Sequence, residues 1–215
     1  MEIIQPLNII GIIVAYLLGS IPTSVWLGKF FYGIDVRETG SGNAGATNTI
    51  RVLGLKAGIP VLIFDALKGF MGVYLSYIFG RNLHDAYFEN YQILLGVSAM
   101  LGHIFPILAG FRGGKGMATL TGVLTAIFPR AVLTLTILYF IILYITRYVS
   151  LASILTSVAF PLFIIFIFKD HNSTELFIAF SIVMAIIVPW THKKNIIRLF
   201  KGEEPKFTIK KQNKF

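Results

Sequence analysis

Three short polar stretches interrupt an otherwise apolar chain, and their residue types suit the binding of anions. The first is GSGNAGATN, Gly40 to Asn48, followed by Arg51. Its glycines, Gly42 and Gly45 among them, let the backbone approach a ligand closely, and Ser41, Asn43, Thr47 and Asn48 add donors beside the amides. A flexible turn is the plain alternative, but four donor side chains and an arginine turn the balance towards a phosphate. The second stretch, Gly102 to Thr119, offers His103, Arg112 and Lys115 with Gly113, Gly114 and Gly116. It is not a nucleotide-binding P-loop, because Ala109 stands where the first glycine belongs and Gly116 follows the lysine. The third, His192 to Phe207, places His192, Asn195 and Arg198 at intervals of three, along one face of a helix. Lysines after a last membrane helix report topology, so Lys193 and Lys194 need no further role.

The chemistry open to such a set is limited. There is no cysteine and no G-x-S-x-G elbow, and the carboxylates near the polar stretches are Asp35, Glu38, Glu203 and Glu204. Covalent catalysis lacks a nucleophile. Direct transfer between two bound substrates needs only positioning, with charge stabilisation from Arg51, Lys115 and backbone amides. His103, near a helix end, is read equally as a hydrogen-bonded structural residue or as a functional one between two anion loops. Asp65 and Lys68, three apart in an apolar helix, can pair with each other, and Ser150 and Ser153 lie at another membrane boundary.

The elements that must position these residues are membrane helices. Of the 215 residues, 55% are hydrophobic and only 13% charged, and mean hydropathy is +0.75. A soluble domain carries roughly 25% charged residues. The formal charge of +9 therefore reports orientation and contact with anionic lipid or substrate, not nucleic acid. Seven apolar runs follow: about 7–27, 57–79, 91–109, 117–128, 129–146, 150–168 and 175–190. The expected fold is all-α, a polytopic membrane protein of seven transmembrane helices in one domain, 1–215. The run 117–128 is short for a span and is either re-entrant or completed by its neighbours. The start carries Glu2 and no lysine or arginine, so the first run is expected to be a retained helix.

With an outside N-terminus, 15 of the 19 basic residues fall on the inner side. Arg81, Arg130 and Lys169 fall outside, and Lys68 lies within a helix. That bias favours a cytoplasmic C-terminus and places all three polar stretches on the cytoplasmic face. The last residues, GEEPKFTIKKQNKF, are expected to form a mobile tail at an anionic membrane surface.

GSGNAGATN with Arg51, GHIFP followed by FRGGKGMAT, and HKKNIIRL followed by GEEPKF closely resemble the three motifs of the bacterial membrane acyl-phosphate:glycerol-3-phosphate acyltransferases. GSIPTSVWLGK (Gly19 to Lys29), Asp35, Arg37, the DALKG run and RYVSLASI (Arg147 to Ile154) resemble further segments of that family, and residues 79–91 carry no signature of it. The resemblance implies a seven-helix inner-membrane enzyme with an external N-terminus. It implies transfer of a fatty acyl group from acyl phosphate to the sn-1 hydroxyl of glycerol 3-phosphate, giving lysophosphatidic acid and phosphate for phospholipid synthesis. Acyl phosphate and glycerol 3-phosphate are the implied partners, with membrane lipid and a soluble phosphate acyltransferase that supplies the donor.

Carried over by position, Ser41, Gly42, Asn43, Gly45, Thr47, Asn48 and Arg51 bind phosphate, and Lys115 with Gly113, Gly114 and Gly116 holds a second one. His103 and His192 hydrogen-bond substrate or act as acid and base, with Asn195, Arg198 and Ser150 beside them. No cofactor, metal or nucleic acid is implied. Because the motifs are short of carboxylates, the attacking hydroxyl is expected to lose its proton to a substrate phosphate oxygen. An acyl-chain groove is expected between helices beside His103 and Lys115. The H-x-x-x-x-D mechanism of other glycerol-phosphate acyltransferases lacks its residues, since His84 is followed five positions on by Glu89. A phosphatidyltransferase would need clustered aspartates. The remaining alternative is a membrane transporter of an organic phosphate, against which stands the gathering of all three stretches on one face.

Overall fold

A computed structural model describes residues 5–168 and 175–208. Glu2, Lys169 and the residues from Ile209 onward, which bear on the readings of the N-terminus, the outer turn and the tail, lie outside the described residues. Every regular element among the described residues is helical. Two compact units are formed, one within Met1–Ile127 and one over Phe128–Thr208.

The first unit contains α1 (Pro6–Gly19), α2 (Thr23–Tyr32), α3 (Ala46–Leu53), α4 (Leu55–Tyr74), α5 (Ser76–Phe79), α6 (Asp85–Ile104) and α7 (Met117–Ile127). A 3-10 turn, Ile107–Ala109, lies between α6 and α7. Pro6 opens α1, where a missing N–H costs nothing. Pro22 separates α1 from α2, because it lacks a donor and disfavours helical backbone at the residue before it. Gly33 ends α2 in the left-handed conformation, its N–H bonded to Lys29 O at 3.2 Å.

Helix α4 is the hub of this unit, packing on α1, α2, α3, α6 and α7, most extensively on α7. Close approach to α7 depends on two small residues. A Cβ at Gly69 would collide with the Thr119 carbonyl, and one at Gly122 with the Ala66 carbonyl. With lipid on the outside there is little hydrophobic drive between helices, so close packing at small residues supplies the association. At the far end of α1 and α6, Tyr91 Oη donates to Asn8 O at 2.8 Å and Asn8 Nδ2 to Phe79 O at 2.6 Å.

The second unit contains α8 (Pro129–Thr146), α9 (Val149–Phe166), α10 (Glu175–Thr191) and α11 (Lys193–Phe200). Helix α9 packs between α8 and α10, with Phe160, Phe177 and Phe180 in mutual ring contact.

Five segments among the described residues are long and apolar enough to cross a membrane: Pro6–Tyr32, Leu55–Phe79, Tyr87–Ala109, Pro129–Thr146 and Val149–Phe166. A sixth arises if Glu175–Thr191 and Lys193–Phe200, bent by 61°, form one span. Helix α7 has 11 residues and so rises about 16 Å, roughly half the hydrocarbon thickness. The sequence marked this run as short, and its buried Thr119, Leu120, Gly122, Val123 and Leu124 show how a short helix is tolerated: it is embedded in protein.

Gly122→Val is expected to destabilise the protein by about 1–3 kcal/mol, read as a lower thermal unfolding midpoint in detergent. Thr121→Val, at the exposed neighbouring position, is expected to change stability by less than about 0.5 kcal/mol.

Candidate active site

The first polar stretch folds as a loop tied to itself and to the second stretch. Asp35 accepts from Arg37 Nη2 at 2.7 Å and from Arg37 Nε at 3.0 Å, and pairs with Lys29 at 3.2 Å. The Arg37 guanidinium beside it, against the opposing effect of burial, holds the Asp35 carboxyl well below the usual carboxylate range. The same bonding raises the already high Arg37. Arg37 Nη1 then donates to Ala109 O at 2.8 Å, joining this loop to the residues before FRGGKG. An ionised partner on each side makes these among the stronger bonds available to a loop.

Asn48 is buried and closes the loop from within. Its Nδ2 donates to Val36 O at 2.7 Å and Thr39 O at 3.2 Å, while its Oδ1 accepts from Ser41 N at 2.8 Å. Gly40, at φ 62°, brings its Cα against Asn48 Oδ1, where a Cβ would collide. The Asn48 amide is thus committed to shaping the loop that presents the other donors.

Gly42 takes φ 71°, and Gly45 caps α3. Ser41, Asn43 and Thr47 are half-buried, and Arg51 is exposed on α3 with no side-chain partner among the described residues. The first-turn amides of a helix point along its axis without intrahelical partners, a natural anion cradle.

In the second stretch, His103 is buried in the last turn of α6. Gly114 N donates to His103 O at 3.1 Å. A Cβ at Gly114 would collide with His103 Nε2 and lie 2.9 Å from Ala44 O, and one at Gly113 would collide with His103 O. His103, the first loop and the second loop thus meet at Gly114, where only a glycine fits. Lys115 is half-buried, and Gly116, at φ 85°, leads directly into α7.

The third stretch lies in the second unit. His192 Nδ1 lies 2.8 Å from Val188 O, and since a carbonyl only accepts, Nδ1 carries a proton. Ser150 Oγ and Asn195 Nδ2 each donate to Glu204 Oε1 at 2.7 Å, and Arg198 Nε donates to Glu204 Oε2 at 2.8 Å. Phe207 N donates to Arg147 O at 2.7 Å. Ser150, Asn195 and Arg198 each spend a donor on Glu204. The tail reading is corrected over residues 202–208, which Glu204 and Phe207 hold to α9, α11 and the α8–α9 corner. Burial pushes the Glu204 carboxyl up, and the bonds from Arg198, Asn195 and Ser150 more than offset it, leaving it below its ordinary value.

The family model described as glycerol-3-phosphate acyltransferase matches residues 9–202, across both units. The chain belongs to the glycerol-3-phosphate acyltransferase family. A glycerol-3-phosphate acyltransferase of Fusobacterium nucleatum subsp. nucleatum is 44% identical over 196 residues, 91% of this chain and 96% of that one. One of Bacillus cereus is 44% identical over 202 residues, 94% and 96% of the two chains.

Two crystal structures of PlsY (YgiH), an integral membrane glycerol 3-phosphate acyltransferase, are similar at 36% identity. The glycerol 3-phosphate form has a TM-score of 0.81 and covers 93% of this chain and 95% of that one. The lysophosphatidic acid form has a TM-score of 0.78 and covers 94% and 95%.

Within this acyltransferase, sequence reading passed over Glu204 as one of two adjacent glutamates. The signal that distinguishes it is Pro205, which follows Glu204 directly and favours extended backbone at the residue before it. Asp65 Oδ1 also lies 3.7 Å from His103 Nδ1, a pairing across 38 positions that has no local signal.

Glu204→Ala is expected to cost about 2 kcal/mol of stability at neutral pH, since three donors lose their acceptor. Because the folded carboxyl lies below its unfolded value, its contribution is complete above the ordinary glutamate range and is lost as pH falls through the folded value. The difference in unfolding midpoint between wild type and Glu204→Gln should therefore be constant around neutrality and shrink on acidification.

Proposed function

We propose that this membrane acyltransferase moves a fatty acyl group from acyl phosphate to the sn-1 hydroxyl of glycerol 3-phosphate. The observation that carries this reading is the junction at Gly114, where two glycine-rich loops and His103 are held together in a chain of this family. Each loop leads into a helix N-terminus, and each brings a cation, Arg51 or Lys115, so the pair suits two phosphate-bearing substrates.

In this reading Ser41, Gly42, Asn43, Gly45, Thr47 and Arg51 hold one phosphate, and Gly113, Gly114, Lys115 and Gly116 hold the other. His103 and His192 hydrogen-bond substrate, and Arg198, whose Nε donates to Glu204, offers its terminal guanidinium nitrogens to an anion. The sn-1 oxygen attacks the acyl carbon, the new ester C–O bond forms, and the acyl carbon's bond to the phosphate oxygen breaks. The hydroxyl proton passes to a phosphate oxygen, so the products are lysophosphatidic acid and hydrogen phosphate. Lys115 and the loop amides offset negative charge on the acyl oxygen and the departing phosphate. No cofactor or metal enters this scheme.

The acyl chain is proposed to lie in a groove along the apolar helices beside His103 and Lys115. We further propose seven crossings in one domain, 1–215, of the bacterial inner membrane, with the N-terminus outside and the C-terminus and active site on the cytoplasmic side. A soluble phosphate acyltransferase supplies the donor. The charge distribution supports this orientation.

Purified protein in lipid should release phosphate from palmitoyl phosphate only when glycerol 3-phosphate is added, with lysophosphatidic acid as co-product. Arg51→Ala and Lys115→Ala should each lower kcat/KM by about 10²–10³. Passage of unmodified glycerol 3-phosphate into proteoliposomes without turnover would instead support transport.

A further inference from the structure

One buried group beside the proposed site has no role in the scheme above. Asp65 and Lys68 lie one turn apart on α4, Oδ1 to Nζ 2.9 Å, with side chains only 3% and 6% exposed. Lys68 Nζ also donates to Ile21 O at 3.0 Å, a carbonyl at the break between α1 and α2. Lys68 is thus committed to its carboxylate and to the helix break. Asp65 has a second neighbour: its Oδ1 lies 3.7 Å from His103 Nδ1. That nitrogen is fully enclosed and, among the described residues, has no partner within hydrogen-bond distance.

A ring nitrogen enclosed beside a carboxylate oxygen is attracted if it carries a proton and repelled if it presents a lone pair. In a low-dielectric interior this difference is large. Asp65 therefore favours the tautomer of neutral His103 that carries its proton on Nδ1 and its lone pair on Nε2. The Nε2 edge of the ring faces Gly114, and Gly114 abuts Ala44 O, so the lone pair is directed at the junction of the two anion loops. The Gly114 N–H bond to His103 O fixes the backbone of the histidine against the same loop.

We propose that Asp65 is a positioning residue for acyl transfer. It holds the His103 proton on Nδ1, so that Nε2 accepts a hydrogen bond from the sn-2 hydroxyl of glycerol 3-phosphate and thereby aims the sn-1 oxygen at the acyl carbon. The inference rests on the proposed function and deepens it. The sn-1 proton still leaves with the phosphate, and His103 orients the glycerol backbone without taking a proton. An acceptor that orients the nucleophile acts chiefly on turnover, whereas the phosphate loops set affinity.

The test uses the full chain in lipid nanodiscs with 15N-labelled histidine at neutral pH, where ring-nitrogen shifts separate the two tautomers. His103→Gln identifies the His103 signals by their loss. The expected result is a neutral wild-type His103 protonated on Nδ1, and in Asp65→Asn a gain of the Nε2-protonated form. With palmitoyl phosphate as donor, kcat of Asp65→Asn should fall more than about tenfold. KM for glycerol 3-phosphate should stay within about twofold of wild type, and Asp65→Glu should recover part of the lost kcat.

A wild-type ring protonated on Nε2 or on both nitrogens overturns the proposal. So does Asp65→Asn with a changed tautomer and unchanged kcat. Should Asp65→Asn fail to fold, the wild-type spectrum alone decides. That spectrum needs no acyl donor, so a wrong donor assignment, seen as no turnover by wild type, is distinguished from a wrong tautomer.

Discussion

Placing two charged side chains in the middle of a membrane helix is the constraint around which the first unit is arranged. A lone charge at mid-membrane costs about 2.5–3.5 kcal/mol even on insertion scales, and more where nothing compensates it. Asp65 and Lys68 offset each other at 2.9 Å, and Lys68 uses a second donor on Ile21 O. At the break before Pro22 the Ile21 carbonyl accepts from Thr23 N at 3.0 Å and keeps a second lone pair for the buried lysine, which needs an acceptor besides its carboxylate. The pair thereby ties α4 to the turn between α1 and α2. With α4 so placed, Gly69 and Gly122 let α7 seat closely against it, and the loop leading into α7 is brought under the end of α6.

The same economy governs the loops. An anion site needs donors aimed outward and a backbone that does not collapse onto itself. The outward donors here are half-exposed hydroxyls, amides and Arg51, while the side chains that hold the shape are the ones turned inward. Asp35 and Arg37 neutralise each other, Arg37 reaches across to Ala109 O, and Asn48 bonds at both ends of its amide. Polar residues in a motif therefore divide into two populations: those left facing outward, and those that spend their hydrogen bonds making the loop. Spacing in the chain does not separate them, whereas burial and partners do.

The second unit repeats the device with a carboxylate at the centre. Glu204 collects Ser150 from α9 and Asn195 and Arg198 from α11. Since a carboxylate offers about four lone-pair sites, it can organise three donors from separate elements around one point. The cation of Arg198 is compensated on one edge by Glu204, which fixes its geometry while leaving the terminal nitrogens to act as donors. His192, with Nδ1 on Val188 O, is oriented by the backbone at the bend between α10 and α11.

What the sequence determined by itself was everything that follows from composition, period and local residue type. The helical membrane class came from hydropathy. The shortness of Met117–Ile127 came from its run length, and the expectation of anion chemistry came from glycines beside cations. The family followed from the order of the motifs. Each of these is a property of residues near one another in the chain.

The tertiary structure decided which polar side chain faces which. It turned Asn48 inward, drew residues 202–208 onto α9 and α11 through Glu204, and set Asp65 against a histidine 38 positions away. It also showed that Gly114 is a contact point between loops as well as a flexible link. The physical reason is that a buried polar group is defined by its partner. Partners across helices are chosen by packing that brings distant residues within a few ångströms, and no local pattern records that choice.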